Sequence, residues 1–192
     1  TAKIHLHSKD FTVTRNNGLH QKHWKDIFGK CQNSKDSRYA ELYQIIEQEL
    51  QYLEKNWPKN LPTGIIHGDI FPDNVFFIDK NVSGLIDFYF SCNDFYAYDL
   101  AITTNAWCFD KKKSFNKENF DSLSKGYQQH ADMSNDEKNH FNTLLRGAAM
   151  RFLVTRLHDQ LYHPDGAMVV PKDPFEFFNI LKWHQNNSIF DS

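Results

Sequence analysis

The sequence has little with which to staple, anchor or extend a fold. Only 3 cysteines occur in 192 residues. Cys31, Cys92 and Cys108 cannot all pair within one chain, and none sits in a CxxC, so a disulfide framework is excluded. Three free thiols fit the reducing cytosol, and a cytoplasmic location is expected. No apolar run approaches the roughly 18 residues that a membrane span needs, so no membrane partner is expected. The opening TAKIHLHSKD lacks the apolar core of a secretory signal, and it lacks a Met, so the natural start is expected further upstream. Basic residues are not in excess: 22 Lys+Arg face 24 Asp+Glu, a net charge of -2. That balance argues against a dedicated nucleic-acid binder, which must neutralise phosphates. There is no low-complexity tract and no internal repeat, so neither disorder nor a fibrous array is indicated.

Aromatic residues are what the sequence has in plenty. They make up 15% of the chain, with Phe 17, Tyr 8 and Trp 4. Such a content implies a tightly packed interior, a pocket wall or a face meant for a partner. The length suffices for a real core without disulfides or a structural metal. It suggests one large domain or a piece of something bigger.

The first 35 residues read as polar and irregular, with Asn16-Asn17-Gly18 as a turn and AKIHLH as the tail of a helix. From Asp36 to Trp57, Tyr39, Leu42, Ile46, Leu50 and Leu53 recur at three- and four-residue steps and predict one helix. Asp36 or Ser37 can cap it, and Pro58 stops it. Between 61 and 92 the runs GIIHGDI, NVFFID and GLIDFYF are short, β-branched and aromatic, divided by FPDN and KNVSG. They predict a loop, then a hairpin between NVFFI and GLIDF. A helix is expected from Tyr98, and others at about 116–130, 135–161 and 174–186. The third has a capping box, Ser134 with Glu137, and the fourth has Asp173 and Pro174 at its start. The expected fold class is α+β: mostly helical, with a small β-hairpin cluster.

That cluster holds the chemistry. It contains His67-x-Asp69-x-x-x-x-Asn74 and, thirteen residues after Asn74, Ile86-Asp87-Phe88. Protein kinases carry H-R-D-x-x-x-x-N followed by D-F-G for a physical reason. Phosphoryl transfer needs a carboxylate to orient the attacking hydroxyl and accept its proton. It also needs hard oxygen ligands to hold Mg²⁺ against the phosphates. Asp69 suits the first task, and Asn74 and Asp87 the second. Turn formation alone explains Pro72-Asp73-Asn74 well. It does not explain an acid interrupting the apolar GLIDFYF, where a buried charge is costly unless paired or metal-bound.

The stretch resembles the aminoglycoside phosphotransferase and choline kinase superfamily, whose catalytic loop reads HGDxxxxN. It is closer still to one branch, the kinase-like homoserine kinases, through IDFYFSCNDFYAYDLAITTNAWCF. NWPKNLP before the loop, RGAAMRFLVTRL in the long helix and GAMVVPKDPFEF near the end extend the likeness from about Ala2 to Trp183. The resemblance implies that residues 1–192 form a single protein-kinase-like C-terminal lobe. It also implies transfer of phosphate from ATP to the homoserine hydroxyl, with Mg²⁺, in threonine biosynthesis. Carried over by position, Asp69 resembles the catalytic base, Asn74 and Asp87 the Mg²⁺ ligands, and His67 the loop histidine, which packs and hydrogen-bonds the loop. Tyr89 stands where protein kinases carry Gly, so a mobile DFG switch is not implied.

Homoserine presents an ammonium, a carboxylate and a hydroxyl. An acid suits the first, and an Arg or amide the second. Candidates are Asn93, Asp94, Tyr98 and Asp99 after the metal-binding strand, and Arg151, flanked by Arg146 and Arg156, on the long helix. For Asp99 a helix cap is an equal reading, and for Arg151 a structural ion pair. Trp107 reads as core. His5-x-His7 and His20-x-x-His23 have metal spacing without Cys partners and read as surface histidines. Lys111, Lys112 and Lys113 read as a solvated turn.

A nucleotide lobe is not legible. The 8 glycines are scattered, no GxGxxG occurs, and no V-A-I-K-like strand precedes the catalytic loop. A piece of a longer chain, a separate N-terminal lobe acting as partner, and a decayed, non-catalytic remnant all fit. A related kinase acting on an aminoglycoside, choline or another amino alcohol is the other enzymatic alternative.

Overall fold

The computed structural model describes residues 1–190 except Lys35, Lys111, Lys113, Asp165, Ala167 and Val169. Most of the expected lysine turn and part of the GAMVV stretch therefore lie outside the described residues. Two compact units make up the chain. One comprises Thr1–Asn17 and Pro58–Leu145, the other Gly18–Trp57 and Arg146–Ser192.

The first unit carries the expected β cluster. Strands β1 (Thr63–Ile66), β2 (Val75–Ile78), β3 (Asn81–Leu85) and β4 (Cys92–Phe95) form two antiparallel pairs, β1 with β4 and β2 with β3. The β2–β3 hairpin is the predicted one, but its turn is not KNVSG. Asp79 and Lys80 both take positive φ, the two-residue turn whose twist matches the strands. Asn81 to Gly84 belong to β3 instead. Strand β4 lies beyond the GLIDFYF run, where the sequence predicts no strand; Gly64 opposite Asp94 and Ile66 opposite Cys92 set its register. Gly64 has no substitute here, because a Cβ at that site would overlap the Tyr96 ring. The unit also holds α1 (Ala2–His7), α4 (Tyr96–Trp107), α5 (Lys117–Gln128) and the start of α6 (Asn135–Leu161). Ala97 through Asn105 of α4 are all buried, so α4 is the unit's central post. Its polar side chains turn back on backbone: Thr103 and Thr104 hydroxyls donate to the carbonyls four residues earlier at 2.8 Å, and Asn105 Nδ2 donates to Leu145 O at 2.9 Å. Buried polar groups need such partners.

The second unit is helical. It comprises α2 (Gln21–Gln32), α3 (Ala40–Asn56), the rest of α6 and α7 (Phe175–Asn186). Helix α2 corrects the reading of the first 35 residues as irregular. Its stripe is short, Trp24, Phe28 and Cys31, and dense polar residues around it mask the period. Asp36 caps the turn before α3 by accepting from Arg38 N. The buried stripe of α3 is Leu42, Ile46, Glu49 and Leu53, so an acid stands where Leu50 was expected. The capping box of α6 is formed. Glu137 Oε2 accepts from Ser134 N at 2.8 Å, and Glu137 N donates to Ser134 Oγ at 3.2 Å. Asp173 Oδ1 accepts from Phe175 N at 2.9 Å and starts α7. The Trp24 and Trp57 rings meet edge-on at 5.5 Å, and Gly147 leaves room for them, since a Cβ there would overlap Trp57.

Candidate active site

The residues expected to carry the chemistry lie in the first unit, where β1 ends. Ile66 is buried, and the next three residues reverse the chain. Gly68 takes φ +75°, a left-handed turn that a side chain would strain. His67 is 0% exposed. Its Nε2 lies 3.1 Å from Ile86 O, a pure acceptor, so Nε2–H donates there. That leaves Nδ1 to accept from Asp69 N, at 3.3 Å. One imidazole thus ties the Asp69 backbone to the residue preceding Asp87, and its ring packs on Phe88 at 4.6 Å.

Asp69 is half-buried. Asn74, in the 3-10 turn Pro72–Asn74, donates its Nδ2 to Asp69 O at 2.9 Å and to Asp69 Oδ2 at 3.1 Å. The amide nitrogen is therefore engaged, and its Oδ1 faces away from that bond, by the same network logic that assigns the amide. Ile86 N donates to Asn74 O at 3.1 Å, which joins β3's exit to the loop. Asp87 lies just beyond β3 with φ +62° and an exposed carboxylate whose Oδ1 accepts from Tyr89 N at 3.4 Å. A non-glycine residue in the left-handed region costs about 1–3 kcal/mol and persists where the surroundings hold it. Among the described residues no group of three His, Cys, Asp or Glu side chains could hold a metal ion. A hard cation here would draw on the Asp87 carboxylate and an amide oxygen, the donor set that leaves room for phosphate and water.

Behind the loop stands Asp99, on α4 and 0% exposed. It is not a cap of its own helix. Its Oδ1 accepts from Gly68 N at 2.7 Å, and its Oδ2 accepts from His67 N at 3.3 Å and from His5 Nε2 at 2.9 Å. Burial pushes its pKa up, but the hydrogen bond and charge of His5 and the two backbone N–H groups outweigh it and hold the carboxyl below the ordinary range. His5 is itself buried, which corrects its reading as a surface histidine, whereas His7 is exposed as expected.

The other candidates divide. Asn93 and Asp94 lie on β4 beside residues that the sequence did not single out. Asn93 Oδ1 accepts from Arg15 N at 2.9 Å, and Asn17 Nδ2 donates to Asp94 Oδ2 at 2.7 Å. Arg15 Nη1 in turn donates to Tyr89 O at 2.5 Å, gripping the segment after Asp87. Nothing in the local sequence marks Arg15, and Asn17 reads only as part of a turn, because each pairing spans more than seventy residues. Tyr98 is buried in the first unit. Arg151 belongs to the second unit, where its guanidinium lies over the Phe152 ring at 4.7 Å. Arg146 forms a two-point ion pair with buried Glu49 at 2.7 Å, and Arg156 pairs with Glu176. Trp107 is not core: half-buried, it donates Nε1 to Ile70 O at 2.8 Å. It walls an apolar cavity of about 380 Å³ with Ile70, Val75, Phe77, Leu85 and Leu123. A larger cavity, about 540 Å³, lies between α2 and α3 beside Lys25, Phe28 and Glu47 and contains no residue of the catalytic loop.

A strand ending in His-Gly-Asp, an amide five residues on and an acid after a hairpin define a kinase-like phosphotransferase fold. The ethanolamine kinase of Plasmodium vivax has it too: the structures align with TM-score 0.63 over 95% of this chain and 53% of that one, at 16% identity. Residues 1–133 match the phosphotransferase enzyme family, and the chain belongs to that family. Among curated relatives, the homoserine kinases of Bartonella henselae (48% identical over 185 residues), Parvibaculum lavamentivorans (46% over 184) and Rhodospirillum rubrum (48% over 184) each match 96% of this chain. The chain spans 57–58% of the length of these relatives. Among the described residues no helix is long and apolar enough to cross a membrane.

Proposed function

We propose that this chain is the acceptor- and metal-binding lobe of a cytoplasmic homoserine kinase, which transfers the γ-phosphoryl group of ATP to the homoserine hydroxyl. The observation that carries the reading is the contact between Asn74 and Asp69, set beside 46–48% identity to homoserine kinases across 96% of the chain. Asp69 acts as base: its carboxylate, held at Oδ2 by Asn74, orients the acceptor hydroxyl and takes its proton as the oxygen bonds to phosphorus and ADP leaves. His67 supports the loop and moves no proton, because both of its ring nitrogens are engaged with backbone. Asp87 and the Asn74 amide oxygen hold Mg²⁺, which when bound neutralises charge on the phosphates.

For the acceptor, Asn93 is the better-placed candidate, half-buried on β4. Asp94, Tyr98, Asp99 and Arg151 are buried and serve the scaffold more readily than the substrate. The nucleotide clamp belongs to a second lobe within the length that the relatives have and this chain does not span. Exposed Phe76, Phe77, Phe88 and Tyr89 on and beside the hairpin suit a surface that such a lobe covers. The test joins this chain to that lobe and measures ADP release with homoserine, serine, choline, ethanolamine and an aminoglycoside. Homoserine is expected to give the highest kcat/KM. A clear preference for an acceptor that is not an amino acid would overturn the substrate, and no ATP-dependent transfer to any acceptor would favour a non-catalytic remnant.

A further inference from the structure

Helix α1 carries a histidine that phosphotransfer leaves unassigned. His5 is 2% exposed, and both of its ring nitrogens are engaged behind the catalytic loop. Nε2 lies 2.9 Å from Asp99 Oδ2, and Nδ1 lies 3.1 Å from the Tyr127 hydroxyl. The Tyr96 ring packs against the imidazole at 4.6 Å, and the Tyr127 ring approaches edge-on at 5.8 Å. Asp99 is held ionised and has no proton to give, so Nε2–H must donate to it. Nδ1 meets the Tyr127 hydroxyl, whose pKa burial raises, with Glu137 and Asp99 adding to the effect. A chain of contacts results. Tyr127 meets His5, His5 donates to Asp99 Oδ2, and Asp99 receives His67 N on that oxygen and Gly68 N on the other.

A carboxylate torsion is broad and roughly two-fold, so burial alone does not fix which way Asp99 presents its oxygens. The 2.7 Å bond to Gly68 requires Oδ1 to point at the loop. His5 anchors the other oxygen, Oδ2, which also receives His67 N, so the carboxylate cannot turn out of this arrangement. Gly68 sits between the buried His67 and Asp69, in the left-handed bend that sets where Asp69 points. We propose that His5 is a positioning residue for phosphotransfer: through Asp99 it fixes the His67–Gly68 turn and hence the aim of Asp69, an inference that rests on reading Asp69 as the base. His5 touches no reacting atom. Its effect belongs in the chemical step, because misplacing a reacting group lowers turnover without weakening the binding of either substrate.

The experiment compares two substitutions of similar polarity in the chain joined to its nucleotide lobe. In His5→Gln the amide nitrogen falls near the position of Nε2 and keeps the donor to Asp99. In His5→Asn it falls near Nδ1 and loses that donor. His5→Asn is expected to lower kcat by about 10- to 100-fold with both KM values within about twofold. His5→Gln is expected to stay within about threefold of the parent. Amide hydrogen exchange of the same proteins provides a readout independent of the acceptor. Gly68 N–H is expected to exchange faster in His5→Asn and not in His5→Gln, while Leu144 and Leu145 in α6 stay protected. Equal kcat in all three proteins, or equal loss in both variants, would overturn the proposal, the latter because packing alone would then explain His5. Should both variants fail to fold, Tyr127→Phe removes only the distal hydroxyl; a kcat lowered about threefold at constant KM would support the chain, and an unchanged kcat would sink it. Asp69→Asn measured alongside separates the two readings. If Asp69→Asn is fully active, the base assignment falls whatever His5 does. If Asp69→Asn is inactive while His5→Asn is unimpaired, only the His5 inference falls.

Discussion

Lowering the pH from 7 to 5 imposes a definite cost through His184. This residue of α7 is 1% exposed. Burial, with the positive charge of Arg146 adding to it, pushes its pKa from 6.5 down to about 3. The folded chain therefore keeps the imidazole neutral through the whole range in which the unfolded chain protonates it. Between pH 6.5 and 3 the unfolded state binds more protons, so stability falls as the pH falls. The slope is about 1.4 kcal/mol per pH unit, and the descent from 6.5 to 5 costs about 2 kcal/mol. For a chain of this size that corresponds to a fall in Tm of about 4–8 °C. The local charges do not relieve the cost. Arg146 is fixed against Glu49 at 2.7 Å, and Gln185 donates to the same carboxylate at 2.7 Å, so that carboxylate is already engaged. Asp99, whose depressed pKa makes its contribution fully present above the ordinary carboxylate range and lost only below it, does not titrate in this window. Thermal melts of the parent and His184→Leu at pH 7, 6 and 5 isolate the effect. The parent is expected to lose about 2 kcal/mol more than the variant over that range. Parallel pH dependence would refute the reasoning.

Two further substitutions probe the scaffold. Glu49→Leu leaves the largely buried Arg146 guanidinium without its carboxylate and is expected to cost about 2–4 kcal/mol by urea denaturation, much of it recovered by adding Arg146→Met. Gly147→Ala drives a methyl group into the Trp57 ring and is expected to cost about 1–3 kcal/mol; a stabilised variant would show that the Trp24–Trp57 packing yields easily.

What the sequence made legible was local. The His67 to Asn74 spacing, the hairpin, the capping box at Ser134 and the bounds of α6 all depend on residues a few positions apart, and each has a chemical reason readable in order. The misses depend on distance in sequence. For Asp99 the sequence offers a helix cap and a substrate contact equally, because the partners its carboxylate takes, His5, His67 and Gly68, lie thirty-one residues or more away. Glu49 carries no signal in its own segment and meets Arg146 only across ninety-seven positions of sequence. Helix α2 hid because its apolar stripe is only Trp24, Phe28 and Cys31. Arg15 and Asn17 carry no motif and acquire meaning only beside Asn93 and Asp94.

The central claim is that Asp69 is the base of a homoserine-phosphorylating site. It is tested most directly by the turnover of Asp69→Asn in the chain joined to its nucleotide lobe, with ATP, Mg²⁺ and homoserine. The substitution keeps the volume and the loop's backbone bonds while removing the proton acceptor. The account predicts a kcat lower by about 10²- to 10⁴-fold, with the fold retained by circular dichroism and KM for homoserine little changed. Turnover equal to that of the parent would contradict it.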